Sequence, residues 1–308
     1  MHLAIAGKLG SGKSTICNIL NARHGFKIYS TGLVQREIAV KKNISILEMN
    51  LLMSNDVSFD HLVDDAVRNI SIEKSNETII FDSRMAWNFA ENSFKIFVVV
   101  DPFVAAVRVI NDPREAEEVY RDVEDARFQL VERARLENER FKEIYNVNNF
   151  DYKNYHLVID SSFAAPEEVA SIIYEHFERY TKAKQNEHIM LISPKSLYPL
   201  ESIRNINDDV VNEYKKTKKY LVDPISIIQF EGYHYVADGH HRMLAALLNN
   251  ENFVQAEIAQ TDNYPFYATT DNLMAQLKSV GISTVYDFEA YGEFRYCSYP
   301  GCYSEDFI

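Results

Sequence analysis

The feature that constrains this chain most is a glycine-rich segment at its N-terminus. Residues 7–14 read GKLGSGKS and match G-x-x-x-x-G-K-[ST] at every fixed position. An apolar run at 2–6 precedes the segment, and a stretch with helical spacing at 14–22 follows it. The glycines let successive backbone N–H groups face phosphate oxygens, and the helix N-terminus adds partial positive charge. The sequence therefore predicts a P-loop that binds a nucleoside triphosphate.

Each polar position of the loop has an expected role. Lys13 should reach the β- and γ-phosphates, and Ser14 should hold Mg²⁺. Asp82 ends the apolar run 78–81; it should contact Mg²⁺ through water or orient the acceptor, unless it only caps a turn. The residues predicted to bind ATP and Mg²⁺ are Gly7, Gly10, Ser11, Gly12, Lys13, Ser14 and Thr15, with Ser14 and Asp82 on the metal.

Apolar runs alternate with stretches of helical spacing through the first half of the chain. This order predicts an α/β fold in which helices cover both faces of a parallel sheet. Strands are predicted at 2–6, 78–81, 96–100 and 156–159, and helices at 14–22, 33–41, 58–72, 104–110, 115–145 and 166–180.

A polar stretch at 181–188 is predicted to be a linker, after which the pattern restarts as a smaller α/β unit. The strands predicted there are 189–192, 225–230 and 233–237, and the helices are 208–219 and 241–248. Beyond 263 the chain is aromatic and rich in turns, with one predicted helix at 272–280. The predicted division is 1–182, 189–262 and a C-terminal extension, 263–308.

Arginines provide candidate contacts for the phosphate of an acceptor. A bidentate guanidinium holds a phosphate and offsets charge on a transferring phosphoryl group. Arg36 follows the segment 29–32, and Arg84 lies two residues after Asp82. The predicted helix 115–145 contains further candidates, which could also belong to a solvated face: Arg127, Arg133 and Arg140.

Several segments of residues 1–180 resemble the cytidylate kinase family, in its compact archaeal form. They are the P-loop, YSTG at 29–32 with Arg36 and Glu37, IFDSRMAW at 80–87, the lid residues Arg133, Glu137 and Arg140–Tyr145, and HLVIDS at 156–161. The resemblance implies ATP·Mg²⁺ as donor and CMP or dCMP as acceptor. It also implies catalytic roles for Lys13, Asp82, Arg84 and Arg133, and acceptor contacts from Ser30, Arg36, Arg84 and Arg140.

Three positions depart from the family pattern, and all concern the acceptor side. Ser83 stands in place of a glycine, Trp87-Asn88 alters the spacing of an Ala-Gly-Trp segment, and Arg135 occupies a position that is often acidic. The donor side matches throughout. Phosphoryl transfer is therefore better supported than the identity of the acceptor.

The second half contains a polar turn between a predicted strand and a predicted helix. Residues 238–242 read DGHHR. Gly239 permits a sharp turn, Asp238 can cap it or bind a metal, and Arg242 can clamp a phosphate at the helix N-terminus. His240 and His241 are neighbours and face different directions, so they are poorly placed to share one metal. A capped turn without chemistry is the alternative.

Residues 189–259 resemble the ParB/sulfiredoxin-like fold, which includes DNA-partition proteins, sulfiredoxin and kinases of free serine. The resemblance rests on ISP at 192–194, LYPLE at 197–201, DPI at 223–225 and DGHHR. His240 replaces the reactive cysteine of sulfiredoxin, and nine Lys and Arg against sixteen Asp and Glu after 188 disfavour DNA. In the serine-kinase branch a Glu of the opening turn acts as base and the Asp-His-Arg turn holds the nucleotide, and Glu201, Asp238, His240 and Arg242 fit that layout. An ordinary surface role is the alternative for Glu201. Gly239 and His241 complete the predicted substrate-binding turn.

Composition narrows the partners further. The formal net charge of −13 argues against a protein that coats nucleic acid, and no apolar run reaches membrane-spanning length. The chain is predicted to be cytoplasmic and to act on a nucleotide or another small molecule, with its oligomeric state open. Three hypotheses follow: a nucleoside monophosphate kinase, a small-molecule kinase in the second half, and a nucleotide-gated regulator without turnover.

Overall fold

The protein divides into two compact units in a computed structural model. The structure describes residues 1–31, 58–111, 120–183, 188–260, 263–264, 267 and 269–303. The first unit comprises Met1–Val99 and Glu132–His188, and the second comprises Val100–Val131 and Ile189–Ile308. This division differs from the predicted one, because residues 100–131 and the C-terminal extension both belong to the second unit.

The first unit is built on a parallel sheet of five strands in the order β2-β3-β1-β4-β5. Its elements are β1 (His2–Gly7), α1 (Lys13–His24), β2 (Lys27–Ser30), α2 (Ser58–Glu73), β3 (Ile79–Asp82), α3 (Ala86–Phe89), β4 (Ser93–Val99), β5 (Leu157–Asp160) and α6 (Pro166–Ala183). The central strand β1 is fully buried, as its uninterrupted apolar run requires. The register pairs Ser30 with Asp82, so both residues lie at the carboxyl edge of the sheet, where ligands bind in α/β folds.

The second unit contains a mixed sheet with the strand order β6-β10-β8-β9-β7. Its elements are α4 (Pro102–Asn111), β6 (Ile189–Ile192), β7 (Leu197–Pro199), α7 (Asp208–Thr217), β8 (Ile225–Phe230), β9 (Tyr233–Asp238), α8 (His240–Leu248), β10 (Val254–Ile258) and α9 (Thr270–Gly292). One further helix, α5 (Val123–Tyr145), has its residues before 132 in the second unit and the rest in the first. The pairs β6–β10 and β8–β9 are antiparallel, and β8–β10 and β7–β9 are parallel.

The segment after residue 263 completes the core of the second unit. Leu273, Leu277 and Val285 of α9 pack against tyrosines of β7 and β9. The buried carboxylate of Glu289 accepts hydrogen bonds from the backbone N–H of Tyr296 and the hydroxyl of Tyr299, both at 2.8 Å. This segment is therefore a structural part of the unit.

The element boundaries differ from prediction where a local cap or kink decides them. Helix α5 begins at Val123, because the carboxylate of Asp122 accepts a hydrogen bond from the N–H of Asp125 and caps the helix. Helix α6 continues to Ala183, into the predicted linker, and α9 continues past a kink at Gly281. The helix predicted at 33–41 lies outside the described residues.

In the part of the chain that the structure describes, no helix is both long and apolar enough to cross a membrane.

Because Gly7 has no side chain, the start of the P-loop can pack closely against β4. A Cβ atom there would clash with the carbonyl oxygen of Val98, whereas one at Gly25 would have no neighbour within 4 Å among the residues that the structure describes. Both glycines have positive φ. We expect Gly25→Ala to lower the free energy of unfolding by about 1–2 kcal/mol through backbone conformation alone.

Gly7→Ala adds a backbone clash and should cost more than Gly25→Ala, by about 1–3 kcal/mol or more. Denaturant unfolding of both variants measures the difference. Equal losses of stability in the two variants would contradict the close approach of Gly7 to β4.

Candidate active site

The P-loop is fixed from both sides by backbone and side-chain hydrogen bonds. The N–H of Lys8 donates to the carbonyl of Val98 at 3.0 Å, and the hydroxyl of Ser161 donates to the carbonyl of Ser11 at 2.9 Å. Gly10 and Gly12 have φ of 71° and 76°, a conformation that favours glycine. The buried hydroxyl of Ser11 finds no hydrogen-bond partner among the described residues. A loop of this form presents polar groups that a phosphate ligand would satisfy.

Ser14 and Asp82 lie together beside this loop, as predicted. Ser14 is in the first turn of α1 and Asp82 ends β3, and the hydroxyl of Ser14 donates to Oδ2 of Asp82 over 3.2 Å. A hydroxyl and a carboxylate are oxygen ligands of the kind that Mg²⁺ prefers, usually with phosphate oxygens completing its shell. The donor set therefore fits Mg²⁺ bound together with a nucleotide.

A cavity of about 380 Å³ opens next to the P-loop. It lies against the carboxyl ends of β2 and β3, one face of α2 and one face of α5. Its lining residues are Lys13, Ser14, Ser30, Thr31, Asp60, Val63, Asp64, Asp82, Ser83, Arg84, Met85, Arg133, Glu137, Arg140, Phe141 and Tyr145. The fold thus brings together seven residues that the sequence predicted for the site: Lys13, Ser14, Ser30, Asp82, Arg84, Arg133 and Arg140.

Carboxylates accompany the arginines of the cavity. Glu137 forms ion pairs with Arg84 and with Arg133, the latter at 3.3 Å, and Arg140 pairs with Asp60. Each guanidinium is therefore held in place without a ligand. A phosphate entering the cavity would find guanidinium groups already gathered, which lowers the cost of ordering them.

Two acidic residues of α2 belong to the cavity and were missed by the sequence analysis. Asp60 pairs with Arg140, and Asp64 accepts a hydrogen bond from the hydroxyl of Tyr145. Burial raises the pKa of both carboxyls, that of Asp64 to about 6. Their signal was available, because they share one helical face with the buried Val63 and Val67.

Some predicted residues lie elsewhere. Arg127 does not line the cavity; it belongs to the second unit, where it hydrogen-bonds Glu124 at 2.8 Å and the hydroxyl of Tyr233 at 3.3 Å. Its predicted contact with the acceptor is therefore not supported by its position. Thr15 is exposed on α1 and does not line the cavity, although the preceding Ser14 does. Arg36 lies outside the described residues.

The second unit brings the residues of its polar turn together around a buried histidine. Gly239, at φ 106°, precedes α8, and His240 is 2% exposed. The N–H of Leu200 donates to Nε2 of His240 at 3.1 Å, which places the imidazole proton on Nδ1. That nitrogen lies 4.0 Å from a carboxylate oxygen of Glu201. Glu201 therefore lies beside the turn, within the same unit.

The other side chains of the turn are engaged in structural contacts. Arg242 donates to the carbonyl of Pro224 at 2.6 Å and to the carboxylate of Asp238 at 2.5 Å. His241 accepts a hydrogen bond from the N–H of Asn207 at 3.0 Å. These contacts hold the turn in place. The carboxylates of Asp238, in the turn, and of Glu201, beside it, are accessible to solvent.

The parallel sheet, the P-loop and the arginine-lined cavity define a P-loop kinase. Residues 2–163 match the model of the cytidylate kinase-like family. The chain belongs to this family, and it is an ATP-dependent kinase.

Relatives and solved structures give the range of similarity. Cytidylate kinase of Thermoplasma acidophilum is 29% identical over 186 residues, 59% of this chain and 95% of that protein. Cytidylate kinase of Sulfolobus acidocaldarius is 31% identical over 175 residues, 56% of this chain and 92% of that protein. Shikimate kinase of Aquifex aeolicus superposes with a TM-score of 0.39 and 17% identity, over 59% of this chain and 98% of that one.

The buried His240 makes the stability of the second unit dependent on pH. Burial, together with the smaller effect of the neighbouring His241, lowers its pKa to about 3. In the unfolded chain the pKa is about 6.5, so between these values the unfolded state binds more protons. Stability contributed by the neutral imidazole is therefore complete above pH 6.5 and is lost as the pH falls, by about 2 kcal/mol at pH 5.

Glutamine at position 240 keeps an acceptor for the N–H of Leu200 but does not titrate. We expect His240→Gln to lose about 2 kcal/mol less than the wild type between pH 7 and pH 5. Denaturant unfolding at the two pH values checks this. Identical pH dependence in both proteins would show that His240 is not buried in its neutral form.

Proposed function

We propose that this chain transfers the γ-phosphate of ATP to a pyrimidine nucleoside monophosphate, CMP or dCMP. The observation that carries the proposal is the cavity in which Lys13, the Ser14–Asp82 pair and three arginines face one another. The groups proposed to bind the donor and those proposed to bind the acceptor thus line one cavity. The relatives named as cytidylate kinases support the choice of acceptor.

Catalysis rests on positioning and electrostatics, because phosphoryl transfer asks for little covalent chemistry from the protein. The P-loop N–H groups and Lys13 would hold the donor phosphates. Mg²⁺, held at Ser14 and Asp82, would neutralise charge on the phosphate oxygens. Arg84 and Arg133 would bind the acceptor phosphate and offset the charge of the transferring group, in exchange for their ion pairs with Glu137.

One of the departures from the family pattern, Trp87, makes a contact inside the fold. Trp87 does not line the cavity; its indole N–H donates to the buried side chain of Asn149 at 2.6 Å. Ser83 does line the cavity, and its hydroxyl accepts from the N–H of Met85 at 3.4 Å. Of the residues that depart from the family pattern, only Ser83 lines the space proposed for the acceptor.

The proposal is tested by Lys13→Ala, assayed by ADP release with ATP and a panel of CMP, dCMP, UMP and AMP. We expect the variant to lose at least about 100-fold in kcat with CMP, because a charged donor to the transferring phosphoryl group is removed. Lys27→Ala is the matched control, since Lys27 lies on the surface and pairs with Glu77.

Unchanged turnover in Lys13→Ala would contradict the assignment. Tight nucleotide binding by the wild type without acceptor-dependent ADP release would favour the regulator hypothesis.

A second candidate function concerns the second unit, for which a ParB/sulfiredoxin-like fold is our proposal. The approach of Glu201 to Nδ1 of the buried His240 is the observation that favours it. The Nδ1–H of a neutral imidazole can orient a nearby carboxylate, which could then act as a base toward a small hydroxyl substrate such as free serine. Asp238 and Gly239 would present the adjacent helix N-terminus to an anion.

Glu201→Gln separates this candidate from the first. If the second unit phosphorylates serine, we expect the variant to lose serine-dependent ADP release by about 100-fold or more while CMP turnover stays unchanged. Asp238→Ala should act in the same direction. The candidate fails if the wild type releases no ADP with serine, or if serine turnover survives both substitutions.

A further inference from the structure

The cavity of the first unit has a second end, lined by carboxyls of α2. Asp60 and Asp64 lie one helical turn apart and both line the cavity. Asp64 is 7% exposed, and the side chain of Asp60 is 11% exposed. Carboxylates are rarely so buried unless a partner compensates them. Asp60 has a charged partner in Arg140.

Asp64 is compensated less well than Asp60. The hydroxyl of Tyr145 donates to its Oδ2, and no other hydrogen bond to this carboxyl is found in the described part of the chain. A neutral hydroxyl offsets a buried negative charge less than a guanidinium does. A ligand that brings an N–H donor to Asp64 would therefore gain a strong hydrogen bond.

The surroundings of Asp64 suit a flat ring. Val63, Met85 and Phe141 line the same cavity and provide apolar surface. Along α5, Tyr145 lies eight residues beyond Glu137, a rise of about 12 Å. Tyr145 contacts Asp64, and Glu137 contacts Arg84 and Arg133 of the proposed phosphate site. The separation of Tyr145 and Glu137 along α5 therefore leaves room for a sugar between phosphate and base.

We propose that Asp64 selects the base of the acceptor, favouring one that carries an exocyclic amino group, as cytosine does, over the keto base uracil. This inference rests on the proposed nucleotide acceptor. The amino group of cytosine donates to a carboxylate, a pairing that discriminates between bases in nucleic-acid recognition as well. The corresponding O4 of uracil would face the carboxylate with a lone pair, so uracil loses a hydrogen bond and meets repulsion.

Asp64→Asn tests the proposal, because the amide keeps the shape of the side chain and can turn its NH₂ group toward O4 of uracil. We expect the ratio of kcat/KM for CMP to that for UMP to fall by about tenfold or more. Thermal unfolding of the variant checks that it folds. If it does not, Asp64→Glu, which keeps the charge but displaces the carboxylate, should lower the ratio as well.

Tyr145→Phe is the matched control for a purely structural role. It removes the hydrogen bond between Asp64 and α5 but leaves the carboxylate in place, so the CMP to UMP ratio should stay unchanged. An unchanged ratio in the Asp64 variants of an enzyme that phosphorylates CMP would overturn base selection and leave the proposed function standing. A wild type that phosphorylates neither nucleotide would overturn both.

Discussion

The contact between the P-loop and strand β4 is the constraint on which the site of the first unit depends. Gly7, at the end of β1, lies so close to Val98 of β4 that a side chain at position 7 would have no room. The N–H of Lys8 donates a hydrogen bond to the carbonyl of the same valine. The loop is thereby pinned to the centre of a buried parallel sheet. Because β3 lies on the other side of β1, its terminal Asp82 reaches the first turn of α1 and meets Ser14.

Electrostatic balance is the second organising feature of this site. An arginine-lined cavity without a ligand would suffer from repulsion between its guanidinium groups. Glu137 relieves this by pairing with two of them, and Asp60 pairs with a third. The two ion pairs of Glu137 are partly exposed and contribute little to stability, so a phosphate dianion can replace this carboxylate at modest cost. The same guanidinium groups can thus pair with a protein carboxylate or with a phosphate.

The sequence predicted the donor side of the site because its signals are local. The P-loop requires eight consecutive residues, and Asp82 follows directly from the end of an apolar run. The parallel sheet followed from alternating strands and helices. The membership of residues 100–131 in the second unit could not be predicted, because it depends on packing between segments far apart in sequence.

The acceptor side was harder to predict because its residues come from two helices that meet only in the fold. Asp60 and Asp64 belong to a helix whose amphipathic pattern was recognised, but two acids on its buried face were not interpreted as a site. Arg127 was predicted to contact the acceptor on the strength of its charge, and it lies in the second unit. Charged residues on a helix therefore indicate a binding site only when it is also known which face of that helix is buried.

The buried polar groups of the two units illustrate one physical rule with different outcomes. The acceptor nitrogen of His240 is satisfied by the N–H of Leu200, and burial keeps the ring neutral, so it can orient Glu201 without carrying charge. Asp64 has one neutral donor in a cavity that is large enough for a ligand, so its desolvation is offset only in part. A buried group whose acceptor atoms are satisfied supports structure, whereas a carboxylate whose acceptor atoms are only partly satisfied beside a cavity can gain a hydrogen bond from a ligand. That difference is why Asp64, rather than His240, is the residue from which a substrate preference can be inferred.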